Sequence, residues 1–277
     1  MNFGEFKIYP VSDGYFRLDG GAMFGVVPRS MWEKTNPPDD KNRITLGLNT
    51  LLVQTQRGNI LIDTGIGDKR DAKFNSIFAV EKEPSLADSL ALLGLKKTDI
   101  TIVINTHLHF DHAGGNTVID GDGVRPAFPN ARYIVQRGEW EAANKPNERT
   151  QASYKPDDFI PVMEAGLLNL VEGDGEIVKG ISVFKAPGHN RDLQLVKIES
   201  LGKTALYFSD LVPTTTHLRY PYIAGYDLFP LETLRLKKEL ITRAALERWL
   251  LIFEHDASIR AGYVKLKEGN PEFEALF

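Results

Sequence analysis

Six consecutive residues, His107-Leu108-His109-Phe110-Asp111-His112, carry four side chains able to bind a metal ion, and they follow an apolar strand-like run from Ile100 to Asn105. Imidazole nitrogen and carboxylate oxygen suit borderline divalent ions such as zinc. His107 and His109, one residue apart, can chelate one ion from an extended segment, while Asp111 and His112 turn toward a second as the chain enters a helix. Two ions held close together need more donors than one short segment supplies, so the rest of the chain must contribute. Outside the cluster lie three histidines: His189 in Ala186-Pro187-Gly188-His189, His217 after Thr214-Thr215-Thr216, and His255 in Phe253-Glu254-His255-Asp256. Asp210 follows a further strand-like run, Ala205 to Ser209. His217 has no strand before it, which points to substrate contact or plain surface rather than to a ligand.

The elements that must position these groups form two β-rich halves, each ending in helical sequence. In the first, Phe6 to Val11 and Tyr15 to Leu18 flank Ser12-Asp13-Gly14, a hairpin-like turn. Leu48 to Gln54 and Asn59 to Ile62 form a second hairpin about Gln56-Arg57-Gly58, ending in Asp63-Thr64-Gly65. Ser85 caps an amphipathic helix, Leu86 to Leu93, that stops at Gly94. Ile100 to Asn105 is short, apolar and β-branched, as a buried strand is, and delivers the histidine cluster into the following loop. Another strand, Ala131 to Gln136, and a helix, Glu139 to Asn144, follow. The second half reads as a meander, Glu176 to Lys185, Leu193 to Glu199 and Thr204 to Phe208. The strong helix Leu231 to Trp249 then leads into a strand, Leu250 to Phe253, that ends near His255. Strands then helix, twice over, imply two packed sheets with helices outside, one domain spanning 1–277. Residues 20–42 mix Gly, Pro and Asp with Met23, Phe24 and Trp32, which favours a lid over a cavity.

Composition narrows the function. The chain has 277 residues, 42% hydrophobic, with a net charge of −4, enough for a large core and no general basic field for nucleic acid. No apolar run approaches the roughly 18 residues of a membrane span, and the N-terminus lacks the pattern of a secretory signal, so a cytoplasmic protein with a small-molecule substrate is expected. With no cysteine, disulfides, thiolate nucleophiles and thiolate ligands are excluded together.

His107-x-His109-x-Asp111-His112, then His189, Asp210 and His255, with Leu61-Ile62-Asp63-Thr64-Gly65 upstream, resembles the metallo-β-lactamase superfamily of hydrolases from about residue 48 to residue 256. The resemblance implies an α/β fold, a four-layer αββα sandwich with the site at one edge between the sheets. It further implies that His107, His109 and His189 hold one metal, that Asp111, His112 and His255 hold the other, and that Asp210 bridges them. Asp63 resembles a supporting carboxylate that orients a ligand histidine. Two divalent ions, zinc by default with manganese, iron or cobalt open, would share a water and lower its pKa enough to attack as hydroxide, and Asp111 could return the proton to the leaving group.

Longer stretches, Gly21 to Pro28 with Trp32 and Ser209 to Leu218, resemble quorum-quenching lactonases of the YtnP type and the related methyl parathion hydrolases. That implies opening of lactones such as N-acyl homoserine lactones, with aryl esters or phosphotriesters as the alternative. Met23, Phe24, Trp32, His217 and Tyr222 are the candidate substrate-pocket residues. The chain departs from acyl homoserine lactonases at Pro213, where those enzymes carry a tyrosine that contacts the substrate carbonyl, so a donor must come from elsewhere, with Tyr220, Tyr222, Tyr226 and His217 nearby in sequence. Glyoxalase II is disfavoured by the missing basic set for glutathione, and an iron-dependent redox enzyme by the full two-metal ligand set. An exposed apolar face on residues 20–42 could equally join two subunits as a homodimer.

Overall fold

The computed structural model describes residues 1–276, so Phe277, the last residue of the expected 1–277 domain, lies outside the described residues. The chain divides into two compact units. The first takes Met1–Gly14, Leu48–Ile77 and Glu81–Asp174, and the second takes Tyr15–Gly47, Phe78–Val80 and the chain from Gly175 onward. Two seven-stranded sheets with helices set between successive strands give the mixed α/β composition expected from the sequence.

One sheet runs, in spatial order, Asn2–Phe3, Phe6–Asp19, Arg43–Thr55, Gly58–Ile62, Ile100–Ile104, Arg132–Gln136 and Leu168–Val171. The hairpin around Arg57 closes with Thr55 opposite Gly58, and from Gly58–Ile62 onward each neighbour is parallel. Parallel strands buried on both faces read as unbroken apolar runs, and Ile60, Leu61, Ile62, Ile102, Val103, Ile104, Ile134 and Val135 are all buried. Their register pairs Ile62 with Ile104 and Ile104 with Ile134, so the residues that follow, Asp63 and Asn105 onward, emerge side by side at one edge of the sheet. The crossover helix Leu86–Leu92 is capped as expected by Ser85, in a reciprocal box with Asp88. Its Leu86 and Leu90 pack with Leu61, Ile100, Val103 and Tyr133.

The other sheet runs Gly175–Val178, Ile181–Lys185, Gln194–Ser200, Lys203–Tyr207, Leu250–Ile252, Ala261–Lys267 and Asn270–Ala275. All its pairs are antiparallel except Lys203–Tyr207 with Leu250–Ile252, and that parallel pair needs a crossover, which the helix Pro230–Glu247 supplies. Proline starts this helix and Arg248, in the left-handed region at φ 56, ends it. Leu240, Ile241 and Ala244 bury its inner face against Leu206, Leu251 and Phe253.

The structure corrects the reading of several elements. Phe6 to Leu18 is not a hairpin but a single strand, Phe6–Asp19. Asp13 does not close a turn: its carboxylate accepts from the backbone N–H groups of Gly67 and Leu86 and pairs with Lys82. Gly14 lets Glu81 approach, since a Cβ there would lie 2.0 Å from the Glu81 carbonyl oxygen. The run Glu176 to Lys185 is two strands rather than one, broken where Gly180 takes φ 81. The C-terminal hairpin Ala261–Lys267 and Asn270–Ala275 has no counterpart in the sequence reading. Residues 20–42 hold two short helices, Gly20–Phe24 and Arg29–Trp32. Among the described residues, no helix is long and apolar enough to cross a membrane.

Candidate functional site

The expected ligand residues come from both units, His107, His109, Asp111 and His112 from the first and His189, Asp210 and His255 from the second. In the first unit the strand Ile100–Ile104 delivers Asn105 to His109, and the short helix Phe110–Ala113 follows with Asp111 and His112, both buried. The three imidazoles crowd together: His107 lies 4.5 Å from His109 and 3.9 Å from His112 between ring centroids. Imidazole rings gathered this closely are a donor set suited to a divalent cation.

Asp63 organises this cluster. Its Oδ1 accepts from the Thr106 backbone N–H at 2.7 Å, and its Oδ2 accepts from the Thr106 hydroxyl at 2.7 Å and faces His112 Nδ1 at 3.1 Å. The Thr106 hydroxyl also lies 3.2 Å from His107 Nδ1. With Nδ1 of His112 donating to a carboxylate, the lone pair sits on Nε2, the nitrogen left for a metal. Asp63 itself takes φ 55, a left-handed conformation that aspartate tolerates better than most residues and that points its carboxylate back beneath the histidines. Two glycines let the neighbouring loops close over it: a Cβ on Gly115 would lie 2.2 Å from the Thr64 carbonyl oxygen, and one on Gly114 2.2 Å from that of Ile66. Below the cluster, Glu139 accepts from the Leu108 backbone N–H at 2.8 Å and from the Tyr154 hydroxyl at 3.1 Å.

In the second unit the ligand candidates come from three separate segments. Tyr207 is paired with Ile252 in the parallel ladder, and Asp210 and His255 each lie three residues beyond that pair. His189 sits on the connection between Lys185 and Gln194, which are themselves paired. The three meet: Asp210 Oδ2 is 3.2 Å from His189 Nε2, and Asp210 Oδ1 is 3.1 Å from His255 Nε2. Ser209, in the left-handed region at φ 45, turns the chain to present Asp210.

Each of these histidines has its other nitrogen engaged. His189 Nδ1 lies 3.1 Å from Asp227 Oδ1, and His255 Nδ1 lies 2.9 Å from the Gly47 carbonyl oxygen, so both Nδ1 atoms donate. Nε2 of each ring thus faces a carboxylate oxygen, a contact that a cation shared between them makes favourable. Two donor atoms each about 2.0–2.2 Å from one zinc-sized ion stand roughly 3.0–3.5 Å apart, and both Nε2–Oδ separations lie in that range. The donor set, two imidazoles and a carboxylate at these separations, fits divalent metal.

The candidate pocket residues also come together within the second unit. Phe24 stacks on Trp32 at 5.3 Å and on His217 at 4.7 Å, with Tyr222 edge-on at 5.9 Å. Met23, Phe24, Trp32, His217 and Tyr222 are all buried. Both nitrogens of His217 have partners, the Thr214 hydroxyl at 2.7 Å and the Met23 carbonyl at 2.9 Å, and burial lowers its pKa to about 4. His217 therefore clasps residues 20–32 as a neutral ring. The Lys237 ammonium, also buried, donates to the carbonyls of His217, Arg219 and Tyr222 at 3.0, 3.1 and 2.7 Å and fixes the loop below them. At Pro213, the backbone carbonyl accepts from His255 N–H at 3.0 Å, which ties the Asp210 segment to the His255 segment.

Sequence reasoning missed Asp227, Gly47 and Lys237. Asp227 and Lys237 act across loops that no local pattern marks, and Gly47 acts through its backbone alone. A buried lysine on an amphipathic helix is the one clue the sequence offered, since Lys237 falls on the same face as Leu240, Ile241 and Ala244.

Comparison with known proteins places these observations. The family model of the metallo-beta-lactamase superfamily matches residues 44–255. An N-acyl homoserine lactonase from Bacillus cereus is 29% identical over 271 residues, covering 92% of this chain and 95% of the relative. A probable metal-dependent hydrolase from Staphylococcus aureus is 32% identical with a TM-score of 0.92, covering 100% of this chain and 99% of that one. The structure of an N-acyl homoserine lactone hydrolase, with N-hexanoyl-L-homoserine bound as product at its catalytic metal centre, is 26% identical with a TM-score of 0.69, covering 93% and 95%. These likenesses bear out the expected αββα fold class.

Proposed function

Because the chain belongs to the metallo-beta-lactamase superfamily, we propose that it is a metal-dependent hydrolase that opens lactone rings of the N-acyl homoserine lactone kind. The observation that carries this reading is Asp210, whose two oxygens each stand at ligand-sharing distance from a different histidine. His107, His109 and His189 would hold one ion and Asp111, His112 and His255 the other, with Asp210 serving both. Zinc is the proposed metal, since every donor is imidazole or carboxylate.

Bound there, two divalent ions supply a strong nucleophile at neutral pH and a Lewis acid for the substrate carbonyl. The residues do the rest. Asp63 and the Gly47 carbonyl hold His112 and His255 with Nδ1 donating, so that Nε2 keeps its lone pair. Asp111, buried at the start of its helix, takes the proton released on attack and passes it to the ring oxygen as the acyl C–O bond breaks, leaving a carboxylate and an alcohol. His217, with both nitrogens occupied, serves as a clasp instead of supplying the donor that Pro213 lacks.

The test is hydrolysis by metal-replete protein of short and long acyl homoserine lactones, a simple γ-lactone, an aryl ester and a phosphotriester, each repeated with Asp210→Ala. Acyl homoserine lactone turnover well above the others, lost in the variant, is expected. Inert lactones beside a reactive aryl ester or phosphotriester would overturn the substrate class and leave the hydrolase.

A further inference from the structure

We propose that Asp227 is a positioning residue for His189, holding its imidazole so that Nε2 points to the ion, and that the helix Pro230–Glu247 holds Asp227 in turn through Thr233. The proposal rests on the reading of His189 as a metal ligand.

Asp227 is almost fully buried, and each of its oxygens has an assigned partner. Oδ1 faces His189 Nδ1 at 3.1 Å, while Oδ2 accepts from the Thr233 hydroxyl at 2.6 Å. A carboxylate bound to one partner could swing; one bound on both oxygens has a fixed plane, and the imidazole that donates to it inherits the fixed orientation. The backbone around it repeats the same bracket. Leu228 N–H donates to the His189 carbonyl at 3.0 Å, and Phe229 N–H donates to that of Gly188 at 2.8 Å, so the residues after Asp227 hold the His189 loop by its main chain as well.

The glycine before the ligand makes this approach possible. A Cβ on Gly188 would lie 2.4 Å from Thr233 Oγ1 and 3.1 Å from the Thr233 backbone nitrogen, so the first turn of the helix packs directly on the loop that carries His189. One turn further along, Lys237 donates to the carbonyls of His217 and Tyr222 and fastens the loop that bears them. On the other side, Gly225 N–H donates to the Ala22 carbonyl at 2.7 Å. Asp227 thus stands on a segment tied to the His189 loop, to the long helix and to residues 20–25. A ligand histidine fixed by a carboxylate is a stronger and better aimed donor, and loss of such a support typically weakens metal binding about 10–100-fold.

The experiment compares wild type, Asp227→Asn, Thr233→Val and His189→Ala, each loaded with cobalt(II). It reads the affinity for each of two ions, the visible ligand-field spectrum, and kcat and KM for an acyl homoserine lactone. In Asp227→Asn, one of the two ions is expected to bind about 10–100-fold more weakly, with a shifted spectrum and a lower kcat at a KM within about twofold of wild type. Thr233→Val is expected to move the same readouts in the same direction by less, and it decides the matter if Asp227→Asn does not fold. Wild-type affinities, spectrum and kcat in Asp227→Asn, beside a lost ion in His189→Ala, would overturn the positioning role alone. Two ions and an unchanged spectrum in His189→Ala would overturn the ligand reading beneath it.

Discussion

In the first unit the donors His107, His109, Asp111 and His112 are neighbours in the chain, carried out of one buried strand into one short helix. In the second unit His189, Asp210 and His255 lie far apart in the chain and meet because a parallel ladder aligns Tyr207 with Ile252 while an antiparallel pair closes the His189 loop. The supports differ likewise. Asp63 reaches three groups of the first cluster by itself, whereas in the second the work is divided among Asp227, the Gly47 carbonyl and the Pro213 carbonyl. A contiguous cluster concentrates its dependence on one residue; a dispersed cluster spreads it through the fold.

The largest effect should come where the dispersed cluster converges. Asp210→Ala removes a carboxylate placed against two histidines and is expected to lower kcat/KM by about 10³-fold or more, the several kcal/mol that a disrupted metal site forfeits, with fewer than two ions per chain by elemental analysis. Full metal content and turnover in that variant would break the comparison at once.

Next, Asp63→Ala should disturb the first cluster more than any single support disturbs the second. It frees His112 and strands the buried Thr106 N–H, at a stability cost of about 1–3 kcal/mol beyond a roughly 10–100-fold loss of metal affinity. Urea unfolding of the metal-free protein separates the two contributions.

The glycines sharpen the contrast. Gly115→Ala presses a Cβ onto backbone, the Thr64 carbonyl oxygen at 2.2 Å, while Gly188→Ala meets first a hydroxyl, Thr233 Oγ1 at 2.4 Å, that can rotate away. Gly115→Ala is expected to cost about 1–3 kcal/mol in unfolding free energy and Gly188→Ala less, with the Gly188 variant showing its effect in metal affinity instead.

These expectations show where sequence was informative and where it was silent. The Ser85 cap, the hairpin about Arg57 and the strand Ile100–Ile104 were legible because caps, turns and apolar runs are local devices. The cluster from His107 to His112 was legible because its spacing is its chemistry. His189, Asp210 and His255 could be nominated from strand ends and from family resemblance, but their meeting depends on strand register. Ser12-Asp13-Gly14 was misread as a hairpin turn because Asp13 bonds to Gly67 and Leu86, partners distant in sequence. Asp227 lies in a loop, and nothing around it announces that His189 is its neighbour.

A further effect concerns pH. His217 has a folded-state pKa of about 4, lowered by burial, against an ordinary value of 6.5. Between those values the unfolded chain binds the proton and the folded one does not, so stability is full above pH 6.5 and falls as pH drops to 4, by about 3 kcal/mol from this residue. In metal-free protein, His217→Gln should flatten the loss of urea stability over that window. An unchanged slope would show that the clasp does not depend on a neutral ring.

The most direct measurement is stepwise reconstitution of metal-free protein with zinc, following ions bound per chain and acyl homoserine lactone ring opening together. Two ions per chain are expected, with ring opening that appears in full only as the second is bound. Full turnover with a single ion per chain, or two ions with no lactone opened, would contradict a centre in which Asp210 serves two metals for lactone hydrolysis.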